Sequence, residues 1–181
     1  KTASGRCMRA SAGCRNLFYQ NHCRIPCGIH SVFSNTFIFD AENDGKEGYL
    51  YSLVTTSIIQ GIKSIPVYVE ADVSDGMPLF EMVGSLSPEV KESKERVRTA
   101  LKNTGYILPP KRITINFIPA NIRKTGSGFD LPVVAAVLCA IGIVPEEALK
   151  DTMVVGEISL SGDVKPVNGI LPMVAEAKGR G

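Results

Sequence analysis

The chain has 181 residues, 44% hydrophobic and 21% charged, with a net charge of +2. This is globular composition, long enough to bury a core without metal or disulfide help, and its charge is too mild to imply nucleic acid by itself. The longest apolar run, Leu131 to Val144, is broken by Gly142 and is shorter than the roughly 20 residues a bilayer needs, so no membrane span is expected. No secretory signal pattern occurs in Lys1 to Leu50.

Residues 1–49 show no sustained period of either a helix or a strand. The run KEGYL can be encoded by purine-rich bases resembling a bacterial ribosome-binding site, with Leu50 at an alternative start codon. The expectation is therefore that residues 1–49 are translated upstream sequence and that the folded unit covers 50–181. Cys7, Cys14, Cys23 and Cys27 fall in this segment. Cys23, Cys27 and His30, with His22 adjacent, offer part of a zinc site, but Cys7 and Cys14 are too loosely spaced to complete it, and no metal is expected. Cys139, inside the apolar run, reads as a core residue.

From Tyr51 onward the texture becomes regular. PVYVEADVS (66–74) alternates as a half-buried strand, SDGMP turns, and LFEMVG is a second short strand. Ser87 and Pro88 open a helix as cap and first helical residue, with Val90, Val97 and Leu101 as its apolar stripe and Gly105 beyond its end. RITINFIP (112–119) alternates again. The glycine loop KTGSGFDLP (124–132) feeds a buried helix over 131–144. TMVVGEISL and DVKPV flank a hairpin turn at Ser161-Gly162, and a last helix begins near Gly169. Strands and helices so interleaved make an α+β (or α/β) domain.

Between Pro88 and Lys124, nine Lys or Arg residues face only Glu89, Glu92 and Glu95, an excess of six positive charges. Lys91, Lys94, Arg98 and Lys102 recur at helical spacing, and Lys111, Arg112, Arg123 and Lys124 extend the set. Glu92 and Arg96 form an i,i+4 pair that solvates the helix. Such a face is either an ordinary wet surface, a contact with another subunit, or a phosphate-binding stripe, the last being sequence-independent and salt-sensitive. Stacking aromatics are sparse (Tyr106, Phe117), which favours duplex or branched DNA over single strands.

The glycine loop has three readings. Free N–H groups at a helix start attract anions, here at Gly126, Ser127 and Gly128. The Walker spacing, however, occurs nowhere in the chain. The plainer reading is a tight turn into the helix, with Asp130 capping or charging its first turn.

Three stretches carry a family resemblance: GMPLFEMVG, EVKESKERVRTALKNTGYILPPKRITINFIPANIRKTGSGFDLPVVAAVL and GEISLSGDVKPVNGILPMVAEAKGRG. Together they resemble the N-terminal domain of the ComM/YifB proteins, magnesium-chelatase-like AAA+ ATPases, almost continuously over 50–181. One small departure is SLSPE, where a Pro-Asp pair after VG is commoner. The resemblance implies a Lon-protease-like, ribosomal S5 domain 2-like fold. It places the Lon nucleophile on Gly128 and the Lon lysine on Leu171, so the serine–lysine chemistry is expected to be lost. Ser127 and Lys165 are the shifted alternative, one residue off and on an exposed hairpin respectively. The resemblance further implies a cytoplasmic parent protein in which an ATPase module beyond Gly181 binds ATP and Mg²⁺ in a ring of sister subunits and drives branch migration of DNA in natural transformation. This domain would then serve oligomer organisation or DNA engagement, without nucleotide of its own. The rival readings are a Lon-like serine peptidase and a protein–protein scaffold without nucleic acid.

Overall fold

The computed structural model describes residues 50–180. The readings placed on residues 1–49, including the cysteine–histidine cluster and the upstream-sequence reading, lie outside the described residues.

Four strands form a mixed sheet in the order β1–β2–β4–β3: β1 (Tyr51–Gln60), β2 (Lys63–Ser74), β3 (Leu79–Val83) and β4 (Arg112–Ile118). β2 is antiparallel to β1 and β4, and β3 is parallel to β4, the pairing expected where a helix connects two neighbouring strands. That helix is α1 (Pro88–Asn103). Strand alternation sends Val54, Val67, Val69, Ile113, Ile115 and Phe117 to one face, where all are buried. The architecture is α+β, as the sequence indicates.

β1 escapes the period-2 reading for a physical reason. Its core-facing positions include Ser52 and Thr56, both buried, so polar residues occupy slots where alternation demands apolar ones. Ser52 is tolerated because its hydroxyl donates to the Ala136 carbonyl at 2.7 Å. β2 also starts earlier than expected, at Lys63. Its first half pairs only with β1, since pairing to β4 begins at Tyr68. Pro66 sits in that half, where its missing N–H costs no bond to β4.

The central layer is α2 (Asp130–Ala140), all eleven residues of which are buried. It packs on β1 and β2 on one side and on α1 on the other. A helix apolar all round can exist only in such a sandwich. It ends at Ala140, short of the expected Val144, because Gly142 takes φ 76° and the Ile143 N–H turns back to the Leu138 carbonyl. After a 3₁₀ turn (Glu146–Leu149), the chain runs alongside β1, with the Val154 N–H donating to Thr55 O. The hairpin at Ser161-Gly162 forms as expected, with strands of two residues each, β5 (Glu157–Ile158) and β6 (Val164–Lys165).

The last helix, α3 (Ile170–Gly179), covers one end of the sheet's outer face through Met173 and Ala177, which cluster with Ile59. Its approach needs glycine at position 169. The backbone there has φ 80°, and a Cβ would stand 2.7 Å from Ile59 Cγ1. Gly169→Ala is therefore expected to destabilise the fold by about 2 kcal/mol, measurable as a lowered midpoint in urea unfolding.

Candidate functional site: the glycine-loop cleft and the basic helix face

Residues 124–130 are held at both ends. At the first, the Lys124 N–H donates to Ser85 O (2.8 Å) and the Ser87 N–H donates to Lys124 O (2.9 Å), a short parallel bridge to the entrance of α1. At the second, the Gly156 N–H donates to Gly128 O (3.2 Å) and the Leu131 N–H to Gly156 O (3.0 Å). Between them the loop lines a cleft of about 260 Å³ together with Ser57, Ile59, Glu157, Val167 and Met173.

At the loop's exit lies a buried ionic knot. Asp130, fully buried, accepts from Arg96 Nε (2.8 Å), from Arg96 Nη2 (3.0 Å), from the Ser93 hydroxyl (2.5 Å) and, at 3.4 Å, from the Ile158 N–H. A bidentate guanidinium and a hydroxyl together compensate the desolvated carboxylate. The bond to Asp130 also raises the Arg96 pKa. Asp130 lies in the first turn of α2 as expected, where negative charge suits the helix dipole, but its carboxylate is spent on α1. Arg96 corrects its own reading in the same way. Glu92 stands 4.0 Å away at the limit of an ion pair, and the guanidinium serves Asp130 instead.

This arrangement also bears on the anion reading of Gly126, Ser127 and Gly128. In the first turn of α2 the Asp130 N–H donates to Ser127 O, the Leu131 N–H to Gly156 O and the Val133 N–H to Phe129 O, while Pro132 has no N–H. The first turn of α2 thus offers no free donor and carries a carboxylate, while the N–H groups of Gly126, Ser127 and Gly128 themselves are not among these bonds.

The shifted dyad does not assemble. Ser127 donates to Glu157 Oε2 at 2.5 Å, a partner that the sequence reading did not single out and that only the hairpin brings near. Lys165 is half exposed, with its ammonium 3.9 Å from Asp163. A carboxylate is a much weaker base than the desolvated amine of a serine–lysine pair. Gly128 lines the cleft with no side chain, although a Cβ there would meet only Val167 at an ordinary 3.5 Å. Leu171 is 79% exposed, and α3 contributes Met173 to the cleft.

The buried amine is elsewhere. Lys124, expected on the basic face and beside an anion, is fully buried, and its ammonium donates to the carbonyls of Phe117 and Pro119. Burial lowers its pKa. It therefore closes the end of β4 and is unavailable to any ligand at the surface.

The remaining cations divide into two groups. Lys111 pairs with Asp75 (3.0 Å) and Arg112 with Glu81 (2.6 Å), on the sheet side of the domain. Lys91, Arg98, Lys102 and Arg123 are exposed and Lys94 half-buried. At 3.6 residues per turn, Lys91, Lys94, Arg98 and Lys102 fall within one flank of α1, beside the buried stripe of Val90, Ser93, Val97, Ala100 and Leu101. Among the described residues only Arg98 of these four has an ion-pair partner, Glu95 at 3.6 Å.

The family profile described as subunit ChlI of Mg-chelatase matches residues 69–181. The uncharacterised protein YifB of Escherichia coli is 39% identical over 126 residues, covering 70% of this chain and 25% of that protein. Competence protein ComM of Haemophilus influenzae is 35% identical over 127 residues, covering 70% and 25%. Lon protease 2 of Bacillus subtilis is 34% identical over 112 residues, covering 59% and 20%. The chain belongs to the magnesium-chelatase-like ComM/YifB family. It spans about a quarter of the length of the YifB and ComM relatives.

Two outcomes follow from the geometry. Arg96→Leu is expected to cost about 3 kcal/mol or more, because it strands a buried carboxylate; chemical denaturation measures it. A fluorophosphonate probe is expected to leave Ser127 unlabelled, as read by peptide mass mapping, and stoichiometric labelling would restore the peptidase reading.

Proposed function

We propose that residues 50–180 form a non-peptidase accessory domain of a magnesium-chelatase-like ATPase, and that the outer flank of α1 engages the phosphate backbone of duplex or branched DNA. In this reading the ATPase module of a longer, cytoplasmic parent protein supplies ATP hydrolysis with Mg²⁺ and assembles with sister subunits, and the whole drives branch migration. The relative named for competence, ComM, fits that role.

One observation carries the reading for this domain: the separation of charge on α1. The inner guanidinium of Arg96 is consumed by Asp130, while Lys91, Lys94, Arg98 and Lys102 project together on the other flank with a single counter-charge among them. A stripe of this kind neutralises successive phosphates without reading bases. The cleft adds support for the negative half of the proposal, since its hydroxyl, Ser127, meets a carboxylate and no amine.

The test is a titration of duplex and branched DNA at two salt concentrations. About four phosphate contacts imply a roughly hundredfold loss of affinity between about 50 and about 200 mM salt. Lys94→Ala/Arg98→Ala/Lys102→Ala is expected to remove most of the affinity and flatten the salt dependence. Absence of binding at low salt sinks the DNA reading and leaves the scaffold.

A further inference from the structure

The two broad sides of the domain differ in charge. α1 packs against α2 on the buried side of the sheet, so its basic flank looks away from the sheet. The opposite side is the outer face of the sheet, and α3 covers only its Ile59 end. The rest is open: its middle is polar, with Glu70, Asp72, Thr114 and Asn116, while apolar side chains stand toward the margins, Tyr51 and Leu53 on β1, Leu79 and Val83 on β3 and Ile118 at the end of β4, all 37–49% exposed. Tyr51 and Leu53 share the β1 edge, an apolar strip next to carboxylates that suits an interaction surface.

Charge says what fits there. On this face Lys111 and Arg112 are matched by Asp75 and Glu81. Glu70 and Asp72 are left over, adjacent on the same side of β2 and next to Leu53 and Tyr51 across the β1 register. Glu70 accepts from Tyr51 Oη (2.8 Å) and Asn116 Nδ2 (2.8 Å), both neutral donors. Asp72 has no ion pair among the described residues. The chain's own surplus of cations is the α1 stripe, whose long aliphatic stems can cover apolar surface while their ammonium heads reach carboxylates.

We propose that the outer sheet face around Leu53, Glu70 and Asp72 is a docking surface for the α1 stripe of a second copy of this chain. The two surfaces lie on opposite sides of one molecule, so the contact is head to tail, each copy offering its stripe to one neighbour and its sheet to another. The stripe serves one occupant at a time, DNA or a sister sheet. This inference does not require the DNA reading, and its test contains no nucleic acid.

Sedimentation velocity on the full 181-residue chain decides it. At about 50 mM salt the mass is expected to rise above the monomer with concentration, and at about 500 mM to fall back, as screening shortens the reach of surface charge. Leu53→Lys/Asp72→Lys removes the sheet surface, and Lys91→Glu/Lys102→Glu removes the stripe. Each is expected to weaken association at least about tenfold, since like charges then face each other. An equal mixture of the two variants retains one intact stripe and one intact sheet, and its two altered surfaces carry opposite charges, so association is expected to return. A wild-type chain that stays monomeric overturns the proposal. So does association that survives either pair of substitutions, or a mixture that stays monomeric. All four positions are exposed, and an unchanged thermal midpoint shows that each variant is folded.

Discussion

Asp130 is a carboxylate with no access to water, and the domain is arranged around keeping it satisfied. Arg96 and Ser93 reach it from α1, and the Ile158 N–H reaches it from the hairpin. One side chain therefore ties the crossover helix, the central helix and the β5–β6 hairpin at a single point. Removing one partner leaves a charge that cannot rehydrate, which makes the knot stringent in a way that apolar packing is not. It also sets the orientation of α1, because gripping Asp130 with one flank commits the other flank to solvent.

The same knot decides what the glycine loop can do. An anion at the start of α2 would need free N–H groups and a positive local field. The stitching to Gly156 takes up the Leu131 N–H and the Gly128 carbonyl, and the Asp130 carboxylate opposes a second negative charge at the start of α2. Acyl transfer would need a hydroxyl beside a desolvated amine. The cleft has space for a side chain at Gly128, yet its Ser127 hydroxyl is held by Glu157 and the one buried lysine among the described residues is turned to backbone carbonyls. The polar groups around the cleft are thus committed to hydrogen bonds that hold the parts of the domain together.

The proposed functions lie on the surface. The α1 flank is a stripe of cations with little counter-charge, and the opposite sheet face combines apolar side chains with unmatched carboxylates. Both are features of position rather than of composition: the whole chain carries only +2, and the asymmetry appears when the fold sorts charges to separate sides.

The sequence by itself determined the elements whose patterns are local: α1 with its Val90–Val97–Leu101 stripe, β4 by alternation, the turn at Ser161-Gly162, and the family through its long matched stretches. The expectation that the reactive pair is replaced, at Gly128 and Leu171, also rests on the sequence alone, once the resemblance is seen. The sequence did not disclose β1, where Ser52 and Thr56 sit in core positions, the Ser52 hydroxyl donating to the Ala136 carbonyl and the Thr56 hydroxyl buried without a partner among the described residues. Nor could it say that Arg96 belongs to Asp130, thirty-four residues on, that Ser127 belongs to Glu157, or that Lys124 is inside while its neighbour Arg123 is outside. Tertiary structure decided these because a charged or hydroxyl side chain takes its meaning from what it faces once water is removed, and desolvation is a property of the assembled layers rather than of any local run of residues.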